Sequence, residues 1–115
     1  MIDGIDLQAD EGILSHKEGV DLMPANIDLA SMEMGIFMAM SREQILNTWL
    51  SSIKDSYDYV LIDCAPTLGI LPVNAFVASD SVLIPVSAEF LPASAMTELL
   101  KTINRVKRQI NPSLD

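Results

Sequence analysis

The chain contains one cysteine, Cys64, which excludes an intramolecular disulfide and fits a reducing compartment. Basic residues are scarce: 7 Lys and Arg stand against 16 Asp and Glu, a net charge of −9. Such a surplus repels a phosphate backbone, so nucleic acid is excluded as the main partner of the chain taken alone. A membrane-length run is also missing. The most apolar stretch, 68–78, is far short of the roughly 20 residues a spanning helix needs, and it contains Pro72 and Asn74. The start shows no cationic segment leading into an apolar one, and so no signal-peptide pattern. These absences predict a cytoplasmic protein with no membrane partner.

What is abundant is apolar surface. Half of the residues are hydrophobic and the mean hydropathy is +0.31, high for 115 residues, since a domain of this size buries only about two thirds of its unfolded surface. No repeat or low-complexity tract divides the chain. Residues 1–18 read as an acidic loop with a short helix near 10–16, and 19–115 as one α/β core. A strand over 20–23 ends at Pro24, and Asn26 can cap a helix running to about Met38, with Asp28 in its first turn. Ser41 and Gln44 have the spacing of a capping box, with Met40 and Ile45 as its apolar staple. Ile45, Leu46, Trp49, Leu50 and Ile53 then recur at helical spacing over 42–54.

A second strand is expected over 59–63, a helix over 71–78 and a third strand over 81–86 with Pro85 at its end. Pro92 suits the first turn of a last helix. Met96, Leu99, Leu100, Ile103, Val106 and Ile110 form that helix's apolar stripe, and Asn111-Pro112 stops it. Alternating strands and helices imply parallel pairing through right-handed crossovers. The fold class is α/β, three layers with a mainly parallel sheet between flanking helices.

The most telling stretch is Tyr-Asp-Tyr-Val-Leu-Ile-Asp-Cys-Ala-Pro-Thr-Leu-Gly, residues 57–69. It has the pattern of a buried strand that ends in a carboxylate, Asp63, and opens into a loop. In open α/β sheets the carboxyl ends of strands form the ligand crevice. An acid there can hold the magnesium of a nucleotide through water. An Asp after an apolar strand also serves simply as a turn former or helix cap, and the short pattern leaves both roles open. Cys64, next to it, is expected to pack as a small buried hydrophobe.

Taken together, 19–26, 39–43, 57–69, 73–75, 82–91 and 111–114 carry, in order, motifs that resemble the ParA family of deviant Walker-type P-loop ATPases, the partition ATPases related to MinD. The resemblance implies a P-loop NTPase fold, with ATP and magnesium in the complete family protein. It puts Asp63 at the Walker B position, holding magnesium through water, and Pro66, Thr67, Leu68 and Gly69 in the switch II loop that responds to the γ-phosphate. It also implies a ParB-type partner, non-specific DNA binding and a homodimer. Ala65, where many relatives carry proline, is a mild departure. The membrane helix of MinD-type relatives has no counterpart.

A larger departure is the phosphate loop. That loop surrounds phosphates with bare backbone N–H groups and a lysine. Here Gly4, Gly12, Gly19, Gly35 and Gly69 are each followed by Ile or Val, never Lys. The chain therefore resembles the middle of a ParA-type protein, and alone it is expected neither to bind nor to hydrolyse ATP. Two functions stay open: part of a partition ATPase that segregates DNA, or a nucleotide-free interaction module derived from that fold. Strands deprived of neighbours should leave apolar edges bare, which predicts self-association.

Four features remain. Met32, Met34, Met38 and Met40, with Ile36 and Phe37, are expected to pack in the core, or else to receive a partner helix. Lys101, Arg105, Lys107 and Arg108 cluster on the last helix, either as charges suited to a helix C-terminus or as a small DNA-facing patch. His16 lacks partners at metal-ligand spacing. Asp55 and Asp58 fall at the far end of the strand from Asp63, about 15 Å away at strand rise.

Overall fold

The computed structural model describes residues 12–25, 28–65, 67–87 and 93–115. Residues 1–11, the cap expected at Asn26, Pro66 of the loop and Pro92 of the last helix lie outside them.

The described chain opens with a hairpin: β1 (Leu14–Ser15) runs antiparallel to β2 (Asp21–Leu22), with Leu14 opposite Leu22 and Ser15 opposite Asp21. This corrects the helix expected near 10–16, as far as 12–16 are concerned. Gly12 and Gly19 hold φ of 89° and 79°, values open to glycine and foreign to a right-handed helix. Gly19 completes a turn in which its N–H donates to the His16 carbonyl at 3.1 Å and the His16 N–H to Val20 at 2.9 Å. The strand expected over 20–23 therefore exists, but pairs backwards with its neighbour in sequence.

Next come two short helices, α1 (Asp28–Ser31) and α2 (Glu33–Met38), interrupted at Met32. The capping box at Ser41 and Gln44 does not form. Ser41 sits in the left-handed region at φ 51° and makes no side-chain cap bond, and the Gln44 Oε1 accepts instead from Asn47 Nδ2 at 3.1 Å. The turn also leaves Met40 95% exposed, so the staple with Ile45 is absent. The helix expected over 42–54 is a 3₁₀ turn (Arg42–Gln44), α3 (Ile45–Ser51) and a second 3₁₀ turn (Lys54–Ser56). Its expected apolar face holds: Leu50 is buried and Ile45, Leu46, Trp49 and Ile53 are half-buried.

The centre of the molecule is α4 (Ile70–Ala78), which packs against α2, α3, the Arg42–Gln44 turn and α5 (Ala93–Gln109). Pro72, Asn74, Ala75, Phe76 and Val77 of α4 are all buried. Pro72 is tolerated because it lies in the first turn, where no intrahelical acceptor awaits its N–H. Phe76 and Val77 form a core cluster with Val106 of α5 and Leu114, against which Val73, Val82, Leu99, Ile103 and Ile110 pack. Leu99, Ile103, Val106 and Ile110 of the stripe expected on the last helix thus face this core, whereas Leu100 remains exposed.

Polar side chains from distant parts of the chain tie α4 down. At its C-terminal end the Asn111 amide donates to the carbonyls of Phe76, Val77 and Ser79 at 3.0, 3.2 and 2.8 Å. In its middle, buried Asn74 accepts from the Leu46 N–H at 3.2 Å and donates to the carbonyls of Arg42 and Ile70 at 2.8 and 3.0 Å.

Among the described residues the hairpin is the one ladder. The segments 59–63 and 81–86, expected as parallel strands, carry no ladder there. A strand joins a sheet only through a neighbour about 4.8 Å away, and the backbone near 80–82 finds another partner. The Val82 N–H donates to Asp115 at 2.8 Å and the Asp115 N–H to Asp80 at 3.0 Å. Leu61 and Leu83 are 94% and 91% exposed. The core placement of the methionines is also overturned. Met32, Met34, Met38 and Met40 are exposed with Phe37, and Ile36 alone of that group is buried, because α2 meets the rest of the molecule chiefly through α4.

The chain exposes 9171 Å². A compact protein of 12.6 kDa would expose about 6,200 Å², against about 18,300 Å² unfolded. Folding thus hides about half of the chain's surface rather than the usual two thirds or so. The radius of gyration of 15.2 Å likewise exceeds the roughly 13 Å of a compact domain of this length.

Candidate functional site

Asp63 is exposed at the end of the unladdered segment, and it makes no hydrogen bond or ion pair with the described residues. Cys64 is exposed too, contrary to the buried packing expected of it. Among the described residues no sheet covers this segment, and the Cys64 Sγ donates to the Ile62 carbonyl at 3.8 Å. Partial desolvation still raises the thiol above its ordinary 9.0, and the negative charge of Asp63 adds to the shift.

Beyond Asp63, the Thr67 N–H donates to the Ala65 carbonyl at 2.8 Å, Thr67 and Leu68 stay exposed, and Gly69 leads into α4. The sequence-predicted residues Asp63, Thr67, Leu68 and Gly69 therefore line one run of chain at the head of α4. Pro66, predicted with them, lies outside the described residues.

Sequence reasoning missed one participant. The Glu33 Oε1 accepts from the Ile70 N–H at 3.2 Å, across 37 positions. The same carboxylate fills the space that a Cβ on Gly69 would enter. Glu33 begins α2 and its side chain sits at the first N–H of α4, where helix dipoles favour an anion. No local pattern marks such a contact.

The donor chemistry suits a hard cation in part. A free carboxylate oxygen is the ligand type magnesium prefers, and magnesium commonly takes one or two protein carboxylates with water and phosphate oxygens completing the octahedron. No group of three His, Cys, Asp or Glu able to hold a metal occurs among the described residues. Asp63 thus fits as a single protein ligand, and the chain lacks the glycine-lysine loop that would hold phosphates.

Away from the loop, Lys101, Asn104, Arg105, Arg108 and Gln109 line a shallow groove of about 360 Å³ along α5. Lys101 is paired there with Glu98 at 3.0 Å. No described helix is long and apolar enough to cross a membrane.

Comparison with known proteins shows the family to which the chain belongs. The family model described as AAA domain matches residues 5–115. The sporulation initiation inhibitor protein Soj of Bacillus subtilis is 42% identical over 97 residues, 84% of this chain and 38% of that protein. The chromosome partitioning protein ParA of Caulobacter vibrioides is 37% identical over 108 residues, 92% of this chain and 40% of its own length. The chain thus spans about two fifths of the length of these curated relatives. The crystal structure of cobyrinic acid a,c-diamide synthase from Mycobacterium smegmatis superposes with a TM-score of 0.88 at 36% identity, covering 95% of this chain and 44% of that one. The same enzyme is also known with bound ADP and magnesium and with an ATP analogue and magnesium. A family match over nearly the whole length, ParA and Soj relatives near 40% identity and a shared P-loop architecture make this chain a member of the ParA/Soj-type family of P-loop ATPases.

Proposed function

We propose that the chain is the Walker B and switch II portion of a partition ATPase that acts in DNA segregation, and that it does not hydrolyse ATP alone. The observation that carries this reading is the exposed carboxylate of Asp63, without a hydrogen-bond or ion-pair partner among the described residues, leading through Thr67, Leu68 and Gly69 into the capped head of α4. In the complete protein Asp63 would hold magnesium through water, and residues 66–69 would respond to the γ-phosphate of ATP. The relatives named for chromosome partitioning support the biological role, and the neighbour with bound nucleotide and magnesium supports the ligand class.

Segments 59–63 and 81–86 are, in this reading, strands of a three-layer parallel sheet completed by chain outside these residues. The roughly 3,000 Å² of surface beyond that of a compact protein of this mass supports this, and it leads the isolated chain to pair with a second copy. The basic side chains of α5 contribute to non-specific DNA contact, and a ParB-type protein is the regulator. The site of action is the cytoplasm.

Calorimetric titration of the chain with ATP and magnesium tests the assignment. Without a phosphate-loop lysine and its N–H cradle nothing at the site offsets the triphosphate charge against an acidic protein, so no saturable heat is expected at millimolar ligand. Micromolar binding overturns the reading. Sedimentation at low micromolar concentration is expected to show a species heavier than 12.6 kDa. A cooperatively melting monomer would instead favour the nucleotide-free interaction module.

A further inference from the structure

We propose that Glu33 is a positioning residue that latches the 67–69 loop and the head of α4 to α2. The proposal rests on reading 67–69 as the nucleotide-responsive loop, and it says what holds that loop in register before any ligand arrives. Two independent features of the structure carry it. The Glu33 carboxylate accepts from the Ile70 N–H at 3.2 Å, one of the N–H groups that a helix start leaves without an intrahelical partner. The same carboxylate occupies the place where any side chain at residue 69 would begin. Gly69 has φ −79°, a backbone that every residue adopts, so the glycine is not required there by its own torsion. What it supplies is room for an acid from 36 positions upstream.

The geometry makes residues 33 and 69 a matched pair. With glycine at 69 and a carbonyl-type oxygen at 33, the loop's last residue lies against α2 and the first N–H of α4 is satisfied. If either member changes, the contact opens.

Amide hydrogen exchange of the full chain, read residue by residue by NMR in the absence of nucleotide, tests the latch apart from the ATPase reading. Failure of the ATP titration would leave this measurement untouched, and the converse also holds. Glu33→Ala is expected to speed exchange at Ile70 about tenfold, the scale of one lost charge-assisted hydrogen bond. Exchange at Val106 in the distant core should stay unchanged. Glu33→Gln keeps an acceptor oxygen and should remain within about threefold of the parent at Ile70. Gly69→Ala, which evicts the carboxylate without removing it, should reproduce the Glu33→Ala effect. Adding Gly69→Ala to Glu33→Ala should then do nothing more, since two changes that break one contact are not additive.

An unchanged Ile70 in Glu33→Ala overturns the proposal. So does equal acceleration at Ile70 and Val106, which would make Glu33 a general support of the fold. A further large increase in the double variant also refutes it, because Gly69 would then act by another route. Should Glu33→Ala fail to fold, Gly69→Ala against Glu33→Gln still decides.

Discussion

Asn74 offers the sharpest test of how this molecule holds together. The residue is 5% exposed, and its amide stands between the Arg42 carbonyl, at 2.8 Å, and the Leu46 N–H, at 3.2 Å. Those are the two groups, four residues apart, that an α-helical turn would join directly. The amide has wedged the chain open and kept Arg42–Gln44 as a 3₁₀ turn ahead of α3. Asn74→Ala removes these bonds and the one to Ile70, at about 1 kcal/mol each. Closure of the Arg42–Leu46 pair recovers about 1 kcal/mol, so a net loss of about 2 kcal/mol is expected, with the 3₁₀ turn drawn into α3.

Asn74→Asp separates donor from shape. It keeps the acceptor for Leu46 but confronts two carbonyl oxygens with a carboxylate, so the protonated acid is the form that fits. Its folded pKa is raised above the unfolded value of about 3.9. The aspartate variant is then most stable below about pH 3.9 and loses stability as pH rises through the folded pKa. Urea unfolding followed by circular dichroism at one fixed concentration measures both variants. A loss below about 0.5 kcal/mol in Asn74→Ala, or a pH-independent difference between Asn74→Asp and Asn74→Ala, would refute the wedge.

Two further outcomes are expected. The Tyr57 hydroxyl donates to the Asp21 Oδ2 at 2.7 Å, lowering the acid below its ordinary 3.8 and raising the phenol above 10.0; the stabilisation is therefore full between those values, fades as pH falls through the lowered pKa, and fades again as pH rises through the raised one. In Tyr57→Phe, carboxyl-carbon NMR titration should find the Asp21 pKa moved upward, and an unmoved pKa would disprove the bond in solution. Cys64 should alkylate completely without denaturant but more slowly than free cysteine at pH 8, and Asp63→Asn should quicken it by removing the neighbouring negative charge; protection until unfolding would contradict the exposed placement.

The helices were largely legible in the sequence, because their cause is local. The spacing from 71 to 78 anticipated α4 to within one residue, and the stripe through Leu99, Ile103, Val106 and Ile110 anticipated the face of α5. The hairpin was legible in principle: Gly19 closing a short polar run between Leu14 and Val20 is a turn signal of the right kind. Apolar runs at 59–63 and 81–86 declare themselves as buried strands, yet burial depends on what lies beside them, and a sequence pattern cannot supply the neighbour. The methionines of α2 failed for the same reason. The Asp63 loop is proposed from its motif alone, whereas the Glu33 contact has no motif at all, since a bond across 37 positions leaves no periodic trace.

The cap at the far end of α4 sets an order of events during synthesis. Asn111, which closes the carbonyls of Phe76 to Ser79, follows Phe76 by 35 positions, and Leu114, the most deeply hidden side chain of the core, comes three residues later. At 5–20 residues per second a ribosome takes roughly 2–7 s to cover that distance. Throughout that interval the newborn α4 has neither its terminal bonds nor its apolar lid, and Phe76 and Val77 are open to any surface that meets them. The segment after α5 is thus a timed clasp: α4 can coil as soon as it emerges, but it is fastened only when residues 111–114 arrive.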